Sequence, residues 1–178
     1  MHLETRRLII RDFRAEDASD LQEILGDGEV MAHCEPPYTP AQTERFLRGF
    51  CMERHGAVAA VHRDTGRVIG YILFHETEAE VYEIGWFFNR RYWRQGYAYE
   101  ACRAVLGEAF HTLHAHRVFA ETTDGVKSLD LMRKLGMRPE GVQRSHTREP
   151  DGRWADMHLC GLLAEDWAEA EENRAIRR

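Results

Sequence analysis

The segment best suited to bind a ligand is a short glycine-containing turn, Trp93-Arg94-Gln95-Gly96-Tyr97-Ala98-Tyr99. Glycine permits a backbone turn that other residues resist, and it leaves room for a ligand to approach closely. No Ser, Thr, Asp or Asn stands at the expected cap of the following helix, so its first N–H groups have no obvious acceptor. Free N–H groups at the positive end of a helix dipole attract anions, which predicts a phosphate cradle. The alternative is an ordinary strand-to-helix turn that happens to contain glycine.

A strand before this turn and a helix after it must hold the turn in place. The strand is an apolar run that ends at Phe88. The helix is predicted because apolar residues recur on one of its faces. These residues are Ala98, Cys102, Val105, Leu106, Ala109, Phe110 and Leu113.

Hydrophobic periodicity and turn residues predict the other elements. Strands are expected at residues 7–13, 57–63, 68–75, 81–88, 116–123, 142–147 and 157–163. Further helices are expected at residues 15–25, from Pro40 behind a Thr39 cap, at 127–135, and in a terminal helix at 165–178. The acidic residues 76–80 are expected to form a turn. The resulting order of strands and helices predicts a mixed α/β or α+β fold.

The composition is that of an ordinary globular protein of one domain, because 178 residues suffice to bury a sizeable core. The net charge of −6 argues against a nucleic-acid binder that works through a broad basic face. Cys34, Cys51, Cys102 and Cys160 form no C-x-x-C pair and are expected to be reduced thiols. The histidine spacings match no zinc pattern, so no metal is predicted. Neither a signal peptide nor a membrane-spanning run is visible, which predicts a cytoplasmic location and no membrane partner.

Five segments, in this order and spacing, resemble the GNAT N-acetyltransferase superfamily, and in particular its ribosomal-protein alanine acetyltransferase (RimJ/RimL) branch. The segments are Leu3 to Arg11, Asp64 to Gly70, Trp93 to Ala101, Lys134 to Met137, and Asp151 to Asp156 with Trp167 beyond it. The resemblance covers about residues 3–167 and leaves a charged tail at 168–178. It implies a mixed, mostly antiparallel sheet flanked by helices. An acyl-CoA site is then expected at the splay between the fourth and fifth predicted strands, 81–88 and 116–123.

This resemblance implies how the chain would bind acetyl-CoA as its co-substrate. The backbone N–H groups of the cradle would bind the pyrophosphate, and the Arg94 side chain would add a charge contact. The last residues of the fourth predicted strand would pair through their backbone with the pantetheine arm, although plain core packing is the alternative. The residues expected at the cofactor are Trp86, Phe87, Phe88, Arg94, Gln95, Gly96, Tyr97, Ala98 and Tyr99.

Two residues are candidates for proton transfer. Glu83 is an acid inside an apolar strand, where burial would raise its pKa, and it matches the strand glutamate that acts as a base in other GNAT enzymes. An outward-facing or buried structural acid is the alternative. Ser128 matches the serine that would protonate the leaving thiolate in the RimJ/RimL branch, and a helix N-cap is its alternative role.

Three positions depart from the family pattern. Trp93 stands where the general superfamily motif has Gln or Arg, as it does in many members of the branch. Gly125 replaces an Asn of the branch, which puts any cofactor contact of that side chain in doubt. No Tyr stands near Cys160, where the branch often has one, so no tyrosine acid is predicted.

The acceptor site is expected where the family usually builds it, between the C-terminal hairpin and the loop that joins the first two helices. Trp154 and Asp156 are the candidates on the hairpin, and Glu35 and Tyr38 are the candidates on the loop. Asp156 would hold a cationic amine, or would instead form a salt bridge within the hairpin to Arg148 or Arg153.

The sequence therefore predicts an acetyl-CoA-dependent N-acetyltransferase. It would move the acetyl group directly, in a ternary complex, to a primary amine on a protein N-terminus or a small molecule. A non-catalytic acyl-CoA sensor on the same fold is the first alternative. A nucleotide or other phosphate binder is the second, and the absence of a Walker lysine motif argues against it. Dimers are common among proteins of this resemblance, so a homodimer is left open.

Overall fold

The computed structural model describes residues 1–176, with side chains described through residue 173, so the last two residues of the predicted terminal helix and charged tail lie outside it. One eight-stranded sheet has the order β1-β2-β3-β4-β5-β6-β8-β7. The strands are β1 His2–Glu4, β2 Leu8–Asp12, β3 Ala57–His62, β4 Val68–Glu78, β5 Val81–Phe88, β6 Arg117–Thr122, β7 Arg138–Arg148 and β8 Trp154–Leu163. The α-helices are α1 Ala18–Leu25, α2 Pro40–Phe46, α3 Tyr97–His111, α4 Lys127–Leu135 and α5 Ala164–Ile176.

The pairing of β5 with β6 is the feature that opens the sheet. Every other neighbouring pair is antiparallel, whereas β5 and β6 run parallel and pair only from Val81–Arg117 to Glu83–Phe119. Beyond Glu83 the two strands diverge, and the edge of β5 that faces β6 is left without a partner strand. This confirms the mixed, mostly antiparallel sheet and the splay between the predicted strands 81–88 and 116–123.

Two apolar cores cover the two faces of the sheet, because successive strand residues point to opposite sides. On one face, Ile84 and Phe88 of β5 pack in a core with residues of α3 and α4. On the other face, Phe87 packs against a second core that includes residues of α1 and the helical segment after α2. Glu83 has the same parity along β5 as Phe87, so its side chain lies on the α1 and α2 face.

Local capping explains several helix ends. The Thr39 cap of α2 is confirmed, since Thr39 Oγ1 accepts from the Gln42 N–H at 3.4 Å and Gln42 Oε1 accepts from the Thr39 N–H at 2.8 Å. After α2 the chain continues as a π-helical segment, Leu47–Glu53. Gly136 ends α4 with φ 93°, a conformation that favours glycine.

The structure corrects some predicted bounds. A short strand, β1, precedes the first predicted strand and pairs with it. The acidic residues 76–80 do not form one turn, because β4 continues to Glu78 and only residues 79 and 80 make the turn. Both strands of the C-terminal hairpin are longer than predicted. Their pairing begins at Arg138 on β7 and continues to Trp154 on β8, so each strand starts before its predicted first residue.

Within residues 1–176, no helix combines the length and the apolar character that crossing a membrane requires. The cysteines Cys34, Cys51, Cys102 and Cys160 are free thiols, and all but Cys34 are buried. The cytoplasmic location stays a prediction.

Candidate active site

The turn between β5 and α3 presents a row of unsatisfied backbone donors. Gly96 adopts the left-handed conformation, with φ 82°, directly before the first residue of α3, and no side chain caps this helix. No hydrogen bond of normal geometry joins the backbone N–H groups of residues 94–99 to an atom in the described part of the chain. The first N–H of α3 that finds a backbone acceptor belongs to Glu100, which bonds to the Gly96 carbonyl at 3.0 Å. The row of donors therefore lies at the positive end of the α3 dipole and is suited to an anion.

The open edge of β5 leads directly to this turn. The Asn89 N–H donates to the Ile69 carbonyl on β4 at 2.9 Å. Backbone directions alternate along an antiparallel ladder, so the groups of Phe87 also face β4, whereas those of Trp86 and Phe88 face the open edge. The predicted backbone role is therefore wrong for Phe87, which pairs with Tyr71 on β4 and also stacks its ring on that residue, with 4.9 Å between centroids.

Trp93, which departs from the general motif, has a structural role here. Its indole Nε1 donates to the Phe88 carbonyl at 2.7 Å, and this bond ties the end of β5 to the cradle. The Lys127 ammonium, at the start of α4, lies 5.0 Å from the centroid of the Trp93 ring. The contact places the beginning of α4 beside the cradle, so the Lys127 ammonium lies near the row of N–H groups. Sequence analysis did not identify Lys127 as a candidate.

The side chains of the cradle divide into packed and exposed ones. Tyr97 is buried in the α3 core, and its hydroxyl lies 3.1 Å from Nε2 of His62, which supports packing as its role. Ala98 and Tyr99 are half-buried. Gln95 is exposed and donates to the Arg91 carbonyl at 2.8 Å. The exposed Arg94 guanidinium makes no hydrogen bond or ion pair with a described residue, so it is available to an anion.

Glu83 stands on β5 at the point where β6 begins to diverge. Its carboxylate Oε2 lies 3.6 Å from Nε2 of His75, the residue directly opposite it on β4. The two side chains are 31% and 33% exposed respectively, so Glu83 is neither fully buried nor freely solvated. Partial burial raises the pKa of Glu83 above its ordinary value, His75 opposes this shift, and the nearby carboxylate of Glu121 adds to it. A carboxylate in this setting is a better proton acceptor than an exposed one.

Ser128 is the second residue of α4 and is half-buried. It is not the helix cap, because Asp124 Oδ1 accepts the N–H groups of Val126 and Lys127, each at 3.0 Å. Within the described residues, the Ser128 hydroxyl has no hydrogen-bond partner. The capping alternative is therefore wrong, and the hydroxyl is free to donate to a ligand.

The two other departures from the family pattern have structural counterparts. A Cβ added at Gly125 would lie 3.5 Å from Nε2 of His158, so the His158 ring stands next to this position. Cys160 is 1% exposed and belongs to the core between the sheet and α3 and α4. Its side chain cannot reach a substrate from there.

On the loop after α1, Tyr38 and Glu35 contact each other. The Tyr38 hydroxyl donates to Glu35 Oε2 at 2.5 Å, and burial together with this carboxylate raises the pKa of Tyr38 well above its ordinary value. The same loop touches the C-terminal hairpin, since Nδ1 of His33 lies 2.6 Å from Oε1 of Glu149. The loop and the hairpin thus meet. Sequence reasoning missed this contact, since it joins residues far apart in the chain.

The hairpin candidates have local partners. Trp154 is 58% exposed near the hairpin tip, where the Arg148 guanidinium lies 4.9 Å from its ring centroid. Asp156 does not form the predicted salt bridge. Its Oδ1 accepts the N–H of Ser145 at 2.8 Å, where β7 bulges, while Arg153 pairs with Asp151 at 2.6 Å. The Asp156 carboxylate thus stabilises the bulge of β7.

No group of three or more His, Cys, Asp and Glu side chains in the described part of the chain is placed to hold a metal ion.

Several known proteins are similar to this chain in sequence and in fold. Residues 7–138 match the acetyltransferase (GNAT) domain family. An uncharacterized N-acetyltransferase of Bacillus subtilis (strain 168), YnaD, is 33% identical over 94% of this chain and 99% of its own length. The crystal structure of a GNAT-family acetyltransferase from Bacillus anthracis superposes with a TM-score of 0.85 at 30% identity, over 93% of this chain and 99% of that one. The [ribosomal protein uS5]-alanine N-acetyltransferase of Escherichia coli (strain K12) is 25% identical over 94% of this chain and 93% of its own.

The chain belongs to the GNAT acetyltransferase family. It is an acyltransferase of the N-acetyltransferase type, and its family transfers acetyl groups from acetyl-CoA. The row of donors and the open edge of β5 therefore lie in a fold whose chemistry requires a site for a diphosphate and a thioester.

Proposed function

We propose that this chain, acting as one catalytic domain over residues 1–178, transfers the acetyl group of acetyl-CoA to a primary amine by direct attack within a ternary complex. The observation that carries the proposal is the row of unpaired N–H groups at residues 94–99, at the end of the open edge of β5. Residues 94–96 are exposed, so water meets these donors in the free protein, and a diphosphate would replace that water with charged acceptors.

The residues around the cradle support binding of the whole cofactor. The N–H groups of residues 94–99 would hold the pyrophosphate, with the exposed Arg94 guanidinium adding positive charge. Lys127, beside Trp93, brings a second cation to the same place. The backbone groups of Trp86 and Phe88 that face the splay would pair with the amides of the pantetheine arm, as a further strand would.

The proposed reaction needs one proton acceptor and one proton donor. A neutral amine attacks the thioester carbonyl carbon, and a backbone N–H on the open edge of β5 near Glu83 stabilises the charge that develops on the carbonyl oxygen. Glu83 accepts the proton of the attacking nitrogen through a water molecule, while the C–S bond breaks. Ser128 donates a proton to the departing thiolate and is reprotonated by solvent. The products are the N-acetylated amine and CoA with a free thiol. Most of the rate would come from holding the two substrates together.

The acceptor would approach from the α1 and α2 face, where Glu83 projects. Tyr38 and Glu35 on the loop and Trp154 on the hairpin are the proposed wall of this site. Asp156 belongs to this wall indirectly, because its carboxylate holds the bulge of the hairpin in place. A protein N-terminus is favoured as one acceptor class by the similarity to an alanine N-acetyltransferase that acts on a ribosomal protein. A small-molecule amine is the other class.

Two measurements test the proposal in sequence. Calorimetric titration with CoA and with ATP is expected to show tighter binding of CoA, and tighter binding of ATP would favour a general nucleotide binder. The protein is then incubated with acetyl-CoA and a panel of peptides and small amines, with thiol release and a mass gain of one acetyl group as readouts. Release of thiol together with an acetylated acceptor supports transfer. Tight CoA binding with no acetylated product from any class of amine would favour the sensor alternative.

A further inference from the structure

The N-terminal segment contacts the first turn of α3 through a dense set of hydrogen bonds. Glu100 Oε1 accepts from the Thr5 hydroxyl at 2.7 Å and from the Arg7 backbone N–H at 2.8 Å. Glu100 Oε2 accepts from Arg7 Nε at 2.7 Å. One carboxylate at the start of α3 is thus held by two residues that lie more than ninety positions earlier in the chain.

The Arg7 guanidinium also reaches the cradle itself. Its Nη1 donates to the Gln95 carbonyl at 2.9 Å, and its central carbon lies 4.0 Å from the centroid of the Tyr97 ring. Arg7 therefore touches the residues on either side of Gly96. Fixing the Gln95 carbonyl fixes the orientation of the peptide plane that carries the Gly96 N–H, since the peptide unit is planar.

The charge balance gives this contact a second role. A carboxylate in the first turn of a helix is favourable for the bare helix but repels an anion that binds at the same end. Partial burial would raise the pKa of Glu100, yet the hydrogen bonds from Thr5 and Arg7 outweigh this and lower it, so Glu100 is ionised. The Arg7 guanidinium neutralises that charge at the place where a diphosphate would bind.

We propose that Arg7, with Thr5, is a positioning residue for the diphosphate of acetyl-CoA. It holds the turn at residues 94–99 in its donor-presenting form and cancels the charge of Glu100. The inference rests on the proposed function, because it assumes that the cradle binds the CoA diphosphate. It assigns a task to the opening segment Leu3 to Arg11, which the sequence resemblance singled out without giving it one.

The test compares two acetyl donors that differ in the diphosphate. Acetyl-CoA carries it, and S-acetylpantetheine carries the same thioester and arm without it. Arg7→Ala is expected to lower kcat/KM about tenfold with acetyl-CoA, mainly through KM, and to leave kcat/KM with S-acetylpantetheine within about twofold of the unchanged protein. Arg7→Lys keeps the positive charge but loses the planar guanidinium with its several donors. Its kcat/KM with acetyl-CoA is therefore expected to lie between those of the unchanged protein and Arg7→Ala.

Arg6→Ala is the matched control, because Arg6 is exposed and makes no hydrogen bond or ion pair with a described residue. Equal losses with both donors, or no loss with acetyl-CoA, would overturn the positioning role. Should Arg7→Ala fail to fold, Thr5→Val removes the hydroxyl that donates to Glu100 and that also accepts the Leu8 N–H at 2.9 Å, and it is expected to give a smaller loss of the same selectivity. If the unchanged protein neither binds CoA nor uses acetyl-CoA, the proposed function itself fails, and that outcome is distinct from the failure of Arg7→Ala to discriminate between the donors.

Discussion

Replacing Glu83 by Gln removes the proposed base with almost no change in shape. The carboxylate lies 3.6 Å from His75 and is 31% exposed, so neither a large cavity nor a new clash is expected. Without the Glu83 carboxylate, no nearby base helps to remove the proton of the bound amine, so the rate should depend more steeply on the fraction of amine that is already deprotonated in solution. The rate should then rise about tenfold per pH unit up to the pKa of the acceptor amine. General-base catalysis contributes about 10²–10⁴-fold, and we expect the lower end, since the proton passes through water and proximity supplies most of the rate. A loss of about 10²-fold corresponds to roughly 2.7 kcal/mol in the barrier.

The same substitution should stabilise the fold. The pKa of Glu83 is raised in the folded state, so the folded protein favours the protonated form. The resulting penalty on stability is present above the folded pKa and disappears below the ordinary glutamate pKa of 4.5. Glu83→Gln is therefore expected to raise the melting temperature at pH 8 and to leave it unchanged below about pH 4. Each kcal/mol of relief raises it by about 2–4 °C in a domain of this size.

Two neighbours of Glu83 provide directional controls. Glu121 raises the pKa of Glu83, so Glu121→Gln should shift the rise of the pH–rate profile to lower pH. His75 lowers that pKa, so His75→Ala should shift the rise to higher pH. Thiol release at saturating acetyl-CoA, measured across pH with the best acceptor from the panel, reports all three variants. A Glu83→Gln profile that superimposes on that of the unchanged protein would refute the reasoning.

Three further substitutions test other parts of the site. Gly96→Ala is expected to cost about 1–2 kcal/mol of stability because φ is 82°, and Gly96→Glu, its charged counterpart, should also abolish CoA binding in calorimetry. Ser128→Ala should lower kcat about 10²-fold with no change in melting temperature, since Ser128 caps no helix; an unchanged kcat would remove it as the proton donor. Gly70→Ala would place a Cβ in the Phe88 ring, which should lower the free energy of unfolding by about 1–3 kcal/mol and weaken CoA binding. Gly141→Ala is the control, because the space around Gly141 is open, and it should change neither property.

The parts of the site that follow from local chemistry could be predicted from the sequence. The cradle depends on a glycine between an apolar strand and an amphipathic helix, and both patterns are visible in the chain. Glu83 stands out as an acid in an apolar run. The splay itself was inferred from resemblance to a known family, because pairing between strands more than thirty residues apart leaves no local signal.

The parts that depend on tertiary contacts could not be predicted. The alternation that turns the backbone of Phe87 towards β4 requires the register with Tyr71, which periodicity does not give. Ser128 does not cap α4, because the loop before the helix bends and brings the Asp124 carboxylate to the N–H groups of Val126 and Lys127. The hydrogen bond from Arg7 to the Gln95 carbonyl joins residues that are distant in sequence. In the sequence alone, Arg7 looks like any charged residue at the start of a strand.

The most direct test of the central claim is a crystal structure of the protein with bound CoA. We expect diphosphate oxygens about 2.7–3.2 Å from the backbone nitrogens of residues 94–99, and the pantetheine arm alongside Trp86 and Phe88. CoA bound on another surface, with the turn around Gly96 unoccupied, would contradict it.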